Sequence, residues 1–298
     1  MFNTPNFYKC TNNRENYKSY FFELLNKSIN IFKWHNLPKT IDSDILEMFL
    51  LLNGDVAFFK LGSDIYATTG NKGGTQNQNY IWDRYIITNP YLSKIYGQDK
   101  LDLVNGVDCE IIYNQPTDKI NIFSSNFNRI LSRTAGIMAD NLTSINCQQI
   151  NSRVQTIVTA DDSNISKSAE LKLEDMYNGK PFAIMSSDLI SSFDINMKSG
   201  QSDNIKNLIE LNNYMYAQFL HNIGITSNEV NKKERLITDE INDNKIECDF
   251  NIDILFNSRK EGIERVNKMF GTDIYITKNE LLQEKEVQEN ETNVQESE

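Results

Sequence analysis

The chain has 298 residues, of which 39 % are hydrophobic and 24 % are charged. These are values of a globular protein, and the length is enough for one large or two medium domains. The formal net charge of −11 at pH 7 argues against tight DNA binding, because proteins that grip phosphates are usually basic.

The cysteines and histidines argue against a disulfide framework and against a zinc site. The chain has four widely spaced cysteines and two histidines, and no C-x-x-C pair. The N-terminal sequence "MFNTPNFYKC" lacks the apolar core of a signal peptide, and no run of about 18 apolar residues could span a membrane. We therefore predict a soluble intracellular protein with no cofactor, no metal and no membrane partner.

The first 120 residues read as helices followed by short strands. Residues 14–33 carry a helical apolar stripe, and "SDILEMFLLLNG" is a second helix that ends at Asn53-Gly54. The runs "VAFFKL", "DIYATT", "YIWDRYIIT" and "CEIIY" are strand-like and predict a small, mostly antiparallel sheet. "GNKGGT" (70–75) lacks the Gly-Lys-Ser/Thr ending of a phosphate loop, so it is interpreted as a hairpin turn.

Two long helices are predicted further along the chain. Residues 121–146 repeat apolar groups at a period of 3.6, and residues 203–223 do the same before Gly224. Between them, residues 153–198 are strand-like around a short amphipathic stretch. The long helices therefore bracket a small β-containing module.

A charged stretch, "NKKERLITDEINDNKIECDF" (231–250), follows the second long helix. Twenty mostly charged residues between two helices predict a long loop, and such loops are usually functional or disordered. The next helix is predicted to start at Ser258, which has Glu261 at capping-box spacing. Residues 280–298 are acidic with almost no apolar content, which predicts a disordered tail.

Four blocks of the sequence resemble the upper collar proteins, or head–tail connectors, of small tailed bacteriophages with protein-primed genomes. The blocks are "IFKWHNLPKTID", "FLHNIGI", "KKERLITDEI" and "SRKEGIERVNKMFGTDI". They agree in order and spacing over residues 14–278. The resemblance implies an α+β portal fold, with an α/β wing, a stem of long helices and a small clip, in a subunit of a ring oligomer.

The resemblance also implies a division of the chain into seven segments. They are the wing (1–120), a stem helix (121–150), the clip (151–200), a second stem helix (201–224), the channel loop (225–253), a C-terminal wing or crown segment (254–279) and the acidic tail (280–298). The channel loop would hang from a stem helix into the central bore, where a polar and mobile segment is expected.

The resemblance implies which residues face the DNA channel. The basic residues are Lys232, Lys233 and Arg235 in the channel loop, with Lys198 and Lys206 lower in the channel; the acids of the loop are Asp239, Glu240 and Asp243. Lys198 matches a lysine-ring position of the family, the alternative being a solvated lysine at the clip edge. The second ring position falls on Asn207, so Lys206 lies about 100° away around the helix.

The implied function is a dodecameric portal at one capsid vertex that serves DNA packaging, genome retention and ejection. Its implied partners are other copies of itself, the major capsid protein, the lower collar or tail protein, the packaging ATPase and double-stranded DNA passing through the channel. It would be assembled in the host cytoplasm and reside in the virion. Two alternatives stay open: a metal-dependent nuclease using Asp239 and Glu240, and a lower-collar or tail adaptor.

Overall fold

A computed structural model describes residues 13–120, 125–153, 157–160, 193–196, 203–225 and 238–279. The chain divides into two compact units. One comprises residues 1–20 and 136–216, and the other comprises residues 21–135 and 217–298. Each unit is assembled from segments that are distant in sequence.

The elements follow the chain in this order. The helices are α1 (Asn13–Ile29), α2 (Ser43–Asn53), α3 (Pro90–Tyr96), α4 (Asn126–Arg153), α5 (Asp203–Asn222) and α6 (Thr238–Phe270), with a 3₁₀ turn at Pro116–Lys119. The strands are β1 (Phe32–His35), β2 (Asp55–Leu61), β3 (Asp64–Thr68), β4 (Asn71–Gln76), β5 (Trp82–Ile87), β6 (Leu101–Val104), β7 (Cys109–Tyr113), β8 (Ile157–Ala160), β9 (Phe193–Asn196) and β10 (Tyr275–Lys278).

The strands of the larger unit form antiparallel sheets. The order β3-β2-β7 makes one three-stranded sheet and β4-β5-β6 makes another, while β1 pairs with β10 so that Trp34 opposes Ile276. In the smaller unit β8 pairs with β9. Helices and antiparallel sheets in one chain confirm the predicted α+β class.

Side chains from the two three-stranded sheets and from α3 form one apolar core. Its buried members are Ala57, Phe59, Tyr85, Ile87, Leu92, Leu103, Cys109, Ile111 and Tyr113. In β2, four consecutive positions from Val56 to Phe59 are fully buried, so both faces of this central strand are covered. The single sheet predicted from four apolar runs is thus divided: three of the runs form β3-β2-β7, the fourth lies in β4-β5-β6, and both sheets contribute to this core.

Helix α2 has capping groups at both ends. The Asp42 carboxylate accepts hydrogen bonds from the backbone N–H groups of Asp44 and Ile45, which the helix itself leaves unsatisfied. Gly54 closes the helix at φ 90°, a conformation that favours glycine, and its N–H donates to Leu50. The Asn-Gly stop predicted from the sequence is confirmed.

The two long helices are present with adjusted bounds. Helix α4 starts at Asn126 and continues to Arg153, and it buries Phe127, Leu131 and Met138 on one face, as its period predicted. Helix α5 covers nearly the predicted range. No helix among the described residues is both long enough and apolar enough to cross a membrane.

The "GNKGGT" segment is a strand and not a turn. β4 pairs with β5, with a register shift between Gly73 and Gln76, and Gly74 adopts φ 82° there. The turn lies further on, where the Asn77 side chain accepts hydrogen bonds from the N–H groups of Asn79 and Ile81. The glycines therefore serve an irregular strand, a role that a glycine-rich run shares with turns.

Candidate channel segment and its support

The predicted channel loop is shorter than its sequence suggested. Residues 225–253 were predicted as loop, but helix α6 begins at Thr238, so the interval between α5 and α6 that remains is at most residues 223–237. The basic residues Lys232, Lys233 and Arg235 lie at 226–237, outside the described residues, as does Lys198.

The acids Asp239, Glu240 and Asp243 are residues of helix α6, whereas the sequence predicted them as part of the channel loop. Two physical reasons explain the helix. Acidic residues in a first helical turn interact favourably with the partial positive charge of the helix N-terminus. Further on, Cys248, Ile252 and Leu255 recur at helical spacing and are buried, so the helix packs on the rest of its unit.

The capping-box interpretation at Ser258 is wrong for the same reason. Ser258 lies inside α6 and is buried, and its hydroxyl donates a hydrogen bond of 2.9 Å to the backbone carbonyl of Tyr113. The serine therefore attaches α6 to the end of β7. A serine followed by a glutamate three residues later occurs inside helices as well as at their starts, and the spacing alone does not distinguish the two.

The end of α5 lies directly against α6. A Cβ at Gly224, which has φ 78°, would approach the Cβ of Ile252 to 2.4 Å and the carbonyl oxygen of Cys248 to 2.9 Å. The Asn251 side chain donates a hydrogen bond of 3.2 Å to the carbonyl of His221. Residues 238–246 precede these contacts and represent about 14 Å of helix at 1.5 Å per residue.

Lys206 is the one predicted channel residue whose side chain the structure describes. It lies in the first turn of α5 and is exposed, and the neighbouring Asn207 is exposed too. Exposure is compatible with a channel surface and equally with an ordinary solvated helix face. Within the described residues no cluster of three or more His, Cys, Asp or Glu side chains could hold a metal ion.

A buried arginine on α6 ties four elements of the larger unit together. The Arg259 guanidinium is 0 % exposed and pairs with Glu47 of α2, with an Nη2–Oε1 distance of 2.6 Å. Its remaining donors reach the Leu255 carbonyl and both the carbonyl and side-chain oxygens of Asn114, which follows β7. Every N–H of the guanidinium therefore has an acceptor, which such a buried charge requires.

Strand β1 completes this cluster from the other side. The Trp34 indole N–H donates a 2.9 Å hydrogen bond to the Glu47 carboxylate, and the Phe32 ring lies 4.8 Å from the Arg259 guanidinium carbon. A guanidinium over an aromatic face is an attractive arrangement. We call Arg259, Glu47, Asn114 and Trp34 the arginine cluster.

A second buried ion pair lies in the sheets. Lys72 of β4 contacts Asp55 of β2 at 2.6 Å, both side chains being nearly inaccessible, and the Tyr85 hydroxyl donates to the same carboxylate at 2.5 Å. Burial raises the pKa of Asp55 more than Lys72 and Tyr85 lower it. Burial, with the Asp55 charge, also raises the pKa of Tyr85 well above its usual value.

Sequence reasoning missed both buried clusters. Lys72 stood in a segment interpreted as a turn, and nothing in its neighbours distinguishes it from a solvated lysine. The burial of Arg259 could have been predicted, because the residue continues the helical spacing of Cys248, Ile252 and Leu255. The sequence analysis missed this because it placed a loop before Ser258 and started the helix there. Two members of the arginine cluster lie in sequence blocks that carry the family resemblance. Trp34 belongs to "IFKWHNLPKTID" and Arg259 to "SRKEGIERVNKMFGTDI", so these residues contribute to the packing of the fold.

The fold is that of phage portal proteins. A solved portal protein of the HK97 phage family from Corynebacterium diphtheriae matches with a TM-score of 0.50 at 10 % identity, covering 91 % of this chain and 96 % of that one. The portal in the solved portal and tail of bacteriophage P68 covers 95 % of both chains at 16 % identity, with a TM-score of 0.40.

The chain belongs to the phage connector family. The family model "Phage Connector (GP10)" matches residues 6–283, nearly the whole chain. The protein is therefore a head–tail connector, or portal, and the resemblance stated from the sequence blocks is confirmed. Membership of this structural family also implies association with the head and tail of a virion.

Proposed function

We propose that this connector forms a closed ring of twelve copies at one capsid vertex, through which DNA enters during packaging, is retained, and later leaves. In this proposal residues 1–120 with 254–279 form the wing, residues 121–150 and 201–224, which include most of α4 and α5, form the stem, and residues 151–200 form the clip. The ring contacts the major capsid protein, the lower collar or tail protein and the packaging ATPase, and it assembles in the host cytoplasm. Family membership carries the proposal.

The surface of α5 supports assembly from copies of the chain. Ile209, Leu211 and Tyr214 are 46 %, 42 % and 48 % exposed. At about 100° per residue, Leu211 and Tyr214 share a face and Ile209 points about 150° away from it. A helix with exposed apolar groups on two sides suits a head-to-tail ring, in which each subunit uses two different surfaces.

The charge pattern supports a channel that does not grip DNA. Twelve chains of charge −11 carry 12 × −11 = −132, from which we infer an inner wall that is largely repulsive to phosphates. The cations Lys232, Lys233 and Arg235 stand in four positions and are followed by the acids of α6. We infer that three basic residues per subunit centre the duplex by transient contacts, and that the acids prevent tight binding.

The chain acts as a conduit and not as a motor. The sequence has no Walker-type phosphate loop, and "GNKGGT", the segment nearest to one in composition, is strand β4. We therefore assign ATP hydrolysis to a separate packaging ATPase. Purified protein is expected to show no DNA-stimulated ATP hydrolysis and no magnesium-dependent DNA cleavage.

Ring formation is tested directly by mass photometry and negative-stain microscopy of the purified protein. We expect a single species of about twelve subunits with a central bore, and interfaces of well over roughly 2,000 Å² per pair, as in obligate oligomers. A monodisperse monomer at micromolar concentration would contradict the proposal.

The channel segment is tested by deleting residues 229–236, which spares every described turn of α6. Rings should form normally, and packaged DNA should be retained poorly, measured as the fraction of heads still filled after packaging. A milder variant replaces Lys232, Lys233 and Arg235 by glutamine. The matched control replaces the exposed lysines Lys39, Lys94 and Lys100 by glutamine, removing the same charge from the wing surface. Failure of the deletion variant to form rings would make the segment structural.

A further inference from the structure

A buried carboxyl group lies at the junction between helix α2 and helix α4. Asp118, in the 3₁₀ turn Pro116–Lys119, is 2 % exposed. A Cβ at Gly54 would lie 2.9 Å from the Asp118 Cγ and 3.0 Å from the Cβ of Ser125. The side chains of Asp118 and Ser125 therefore both lie against Gly54, the residue that follows α2.

Ser125 links the same two helices. Its hydroxyl donates to the Leu51 carbonyl in the last turn of α2 and accepts a 3.0 Å hydrogen bond from the N–H of Asn128 in the first turn of α4. Ser125 is thus the capping group of α4 and is attached to α2. Asp118 thus lies beside Gly54, which also adjoins the residue that caps α4.

The Asp118 carboxylate is poorly satisfied where it lies. Neither of its oxygens accepts a hydrogen bond of good geometry among the described residues, although the N–H of Asn126 and the side-chain nitrogen of Asn114 lie near enough to favour its charge. Asn114 uses its side-chain oxygen to accept from Arg259 at 2.7 Å. A buried carboxyl group with few hydrogen-bond donors around it favours its neutral form, because burying the negative charge costs free energy when donors or cations do not stabilise it.

The charged groups around Asp118 do not compensate fully. Lys72 donates a 2.5 Å hydrogen bond to the backbone carbonyl of Asp118, but its charge is paired with Asp55 at 2.6 Å. Asp55 disfavours a second negative charge nearby, while Lys72, Asn114 and the N–H of Asn126 favour it. Lys119, on the same turn, lies 3.6 Å from Glu261 of α6.

We propose that Asp118 is a proton-controlled joint: its neutral carboxyl group packs tightly between the end of α2 and the start of α4, and its ionised form loosens that packing. The joint is a property of the single chain and goes beyond the proposed function of the ring. It would give the start of a long helix two states of different rigidity within the ordinary range of pH.

The relevant pH range follows from burial. Burial is the largest influence and raises the pKa of Asp118 to about 6, against a usual value of 3.8. A carboxyl group whose pKa is raised by folding stabilises the folded state fully below the unfolded value of 3.8, and that stabilisation is lost as pH rises from there through the raised value. The joint is therefore tight at pH 5 and loosened at pH 7.5.

The test compares the wild-type chain with Asp118→Asn, an isosteric variant that cannot ionise. We expect the Tm of the variant to exceed that of the wild type by about 3 to 6 °C at pH 7.5 and by clearly less at pH 5.0, where the carboxyl group of the folded wild type is mostly neutral. Asp99→Asn, at an exposed position, is the matched control and should change Tm at neither pH. Hydrogen exchange at each pH reports the location: amides of residues 125–131 should exchange more slowly in the Asp118 variant at pH 7.5 only.

Three outcomes would overturn the proposal. A variant that is destabilised at both pH values, or that fails to fold, would mean that the carboxylate itself is required as an acceptor. Equal Tm values at pH 7.5 would mean that ionisation has no cost there. Slower exchange spread evenly over β2, β5 and α4 would mean that the charge affects global stability and not this joint.

Discussion

The two units of this connector differ in how far the side chains described below are buried and paired within one chain. In the larger unit, the arginine cluster buries a guanidinium completely and gives each of its donors an acceptor from the same chain. In the smaller unit, α5 leaves Ile209, Leu211 and Tyr214 about half exposed. The larger unit is therefore stabilised by contacts within one chain, whereas α5 keeps apolar surface exposed that the proposed ring would cover.

The largest effect on single-chain stability is expected from Arg259→Met. The substitution leaves Glu47 as a buried and unpaired charge, so the free energy of unfolding should fall by about 3 to 5 kcal/mol. Urea denaturation measures the loss. The comparison variant is Arg265→Met on the same helix, where Arg265 is 40 % exposed and its partner Glu110 is 14 % exposed, so the loss should be smaller, about 1 to 2 kcal/mol. Equal losses would remove the distinction between the fully buried pair and the partly exposed one.

A somewhat smaller loss, about 2 to 4 kcal/mol, is expected from Lys72→Met, because Asp55 then stays buried without its cation. Loss of Lys72 removes an influence that lowers the pKa of Asp55, so that pKa rises further. Stability of the variant should consequently fall as pH increases from 5 to 8, since the folded state holds the proton more tightly. Adding Asp55→Asn should restore much of the loss and abolish this pH dependence, measured by thermal unfolding across that range.

An effect of about 1 to 3 kcal/mol is expected from Gly262→Ala. A Cβ at this position in α6 would lie 2.9 Å from two side-chain carbons of Ile112 in β7, so the helix must move away from the sheet. The matched control is Gly136→Ala in α4, where a Cβ meets nothing within 4 Å. That substitution should stabilise the chain by about 0.5 to 1 kcal/mol, because alanine is the better helix former. Chemical denaturation should therefore show a lower free energy of unfolding for Gly262→Ala and a higher one for Gly136→Ala. Changes of the same sign would contradict the difference in packing.

The smallest effect on the single chain, below about 0.5 kcal/mol, is expected from Ile209→Glu combined with Tyr214→Glu, because both positions are exposed. Ring formation should nevertheless be lost, as charges would enter both proposed contact surfaces of α5. Mass photometry distinguishes rings from single chains. Tyr91→Glu with Ile95→Glu, at comparably exposed positions of α3, is the control and should leave rings intact.

Local patterns predicted most helices and strands but not all of their bounds. The helix α2 was recognisable because capping groups and an apolar stripe agree over a short range, and the strands from Val56 and Cys109 were recognisable as apolar runs. The start of α6 was missed because Asp239 and Glu240 have the composition of a solvated loop and equally that of a helix N-terminus. Only the packing of Cys248 and Ile252 against Gly224 decides between the two.

The candidate site divides in the same way. Its channel residues were proposed from sequence blocks, and their roles stay predictions, with Lys206 on an exposed face of α5 and the acids of the loop placed in a helix. The blocks identified the family correctly. In two of them, residues that the structure describes stabilise the fold through packing. Trp34 and Arg259 are examples, since both contact Glu47.

The sequence by itself determined the α+β class, the long helices α4 and α5 and the connector family, because apolar periodicity and block spacing are local properties. The tertiary structure alone decided that Lys72 and Arg259 are buried, that "GNKGGT" is a strand and that Asp118 lies unsatisfied beside Gly54. Lys72 pairs with Asp55 and donates to Asp118 46 residues away, Arg259 pairs with Glu47 212 residues away, and β4 depends on its pairing with β5. Burial and pairing are set by such distant contacts, and the free energy of a charge depends on both.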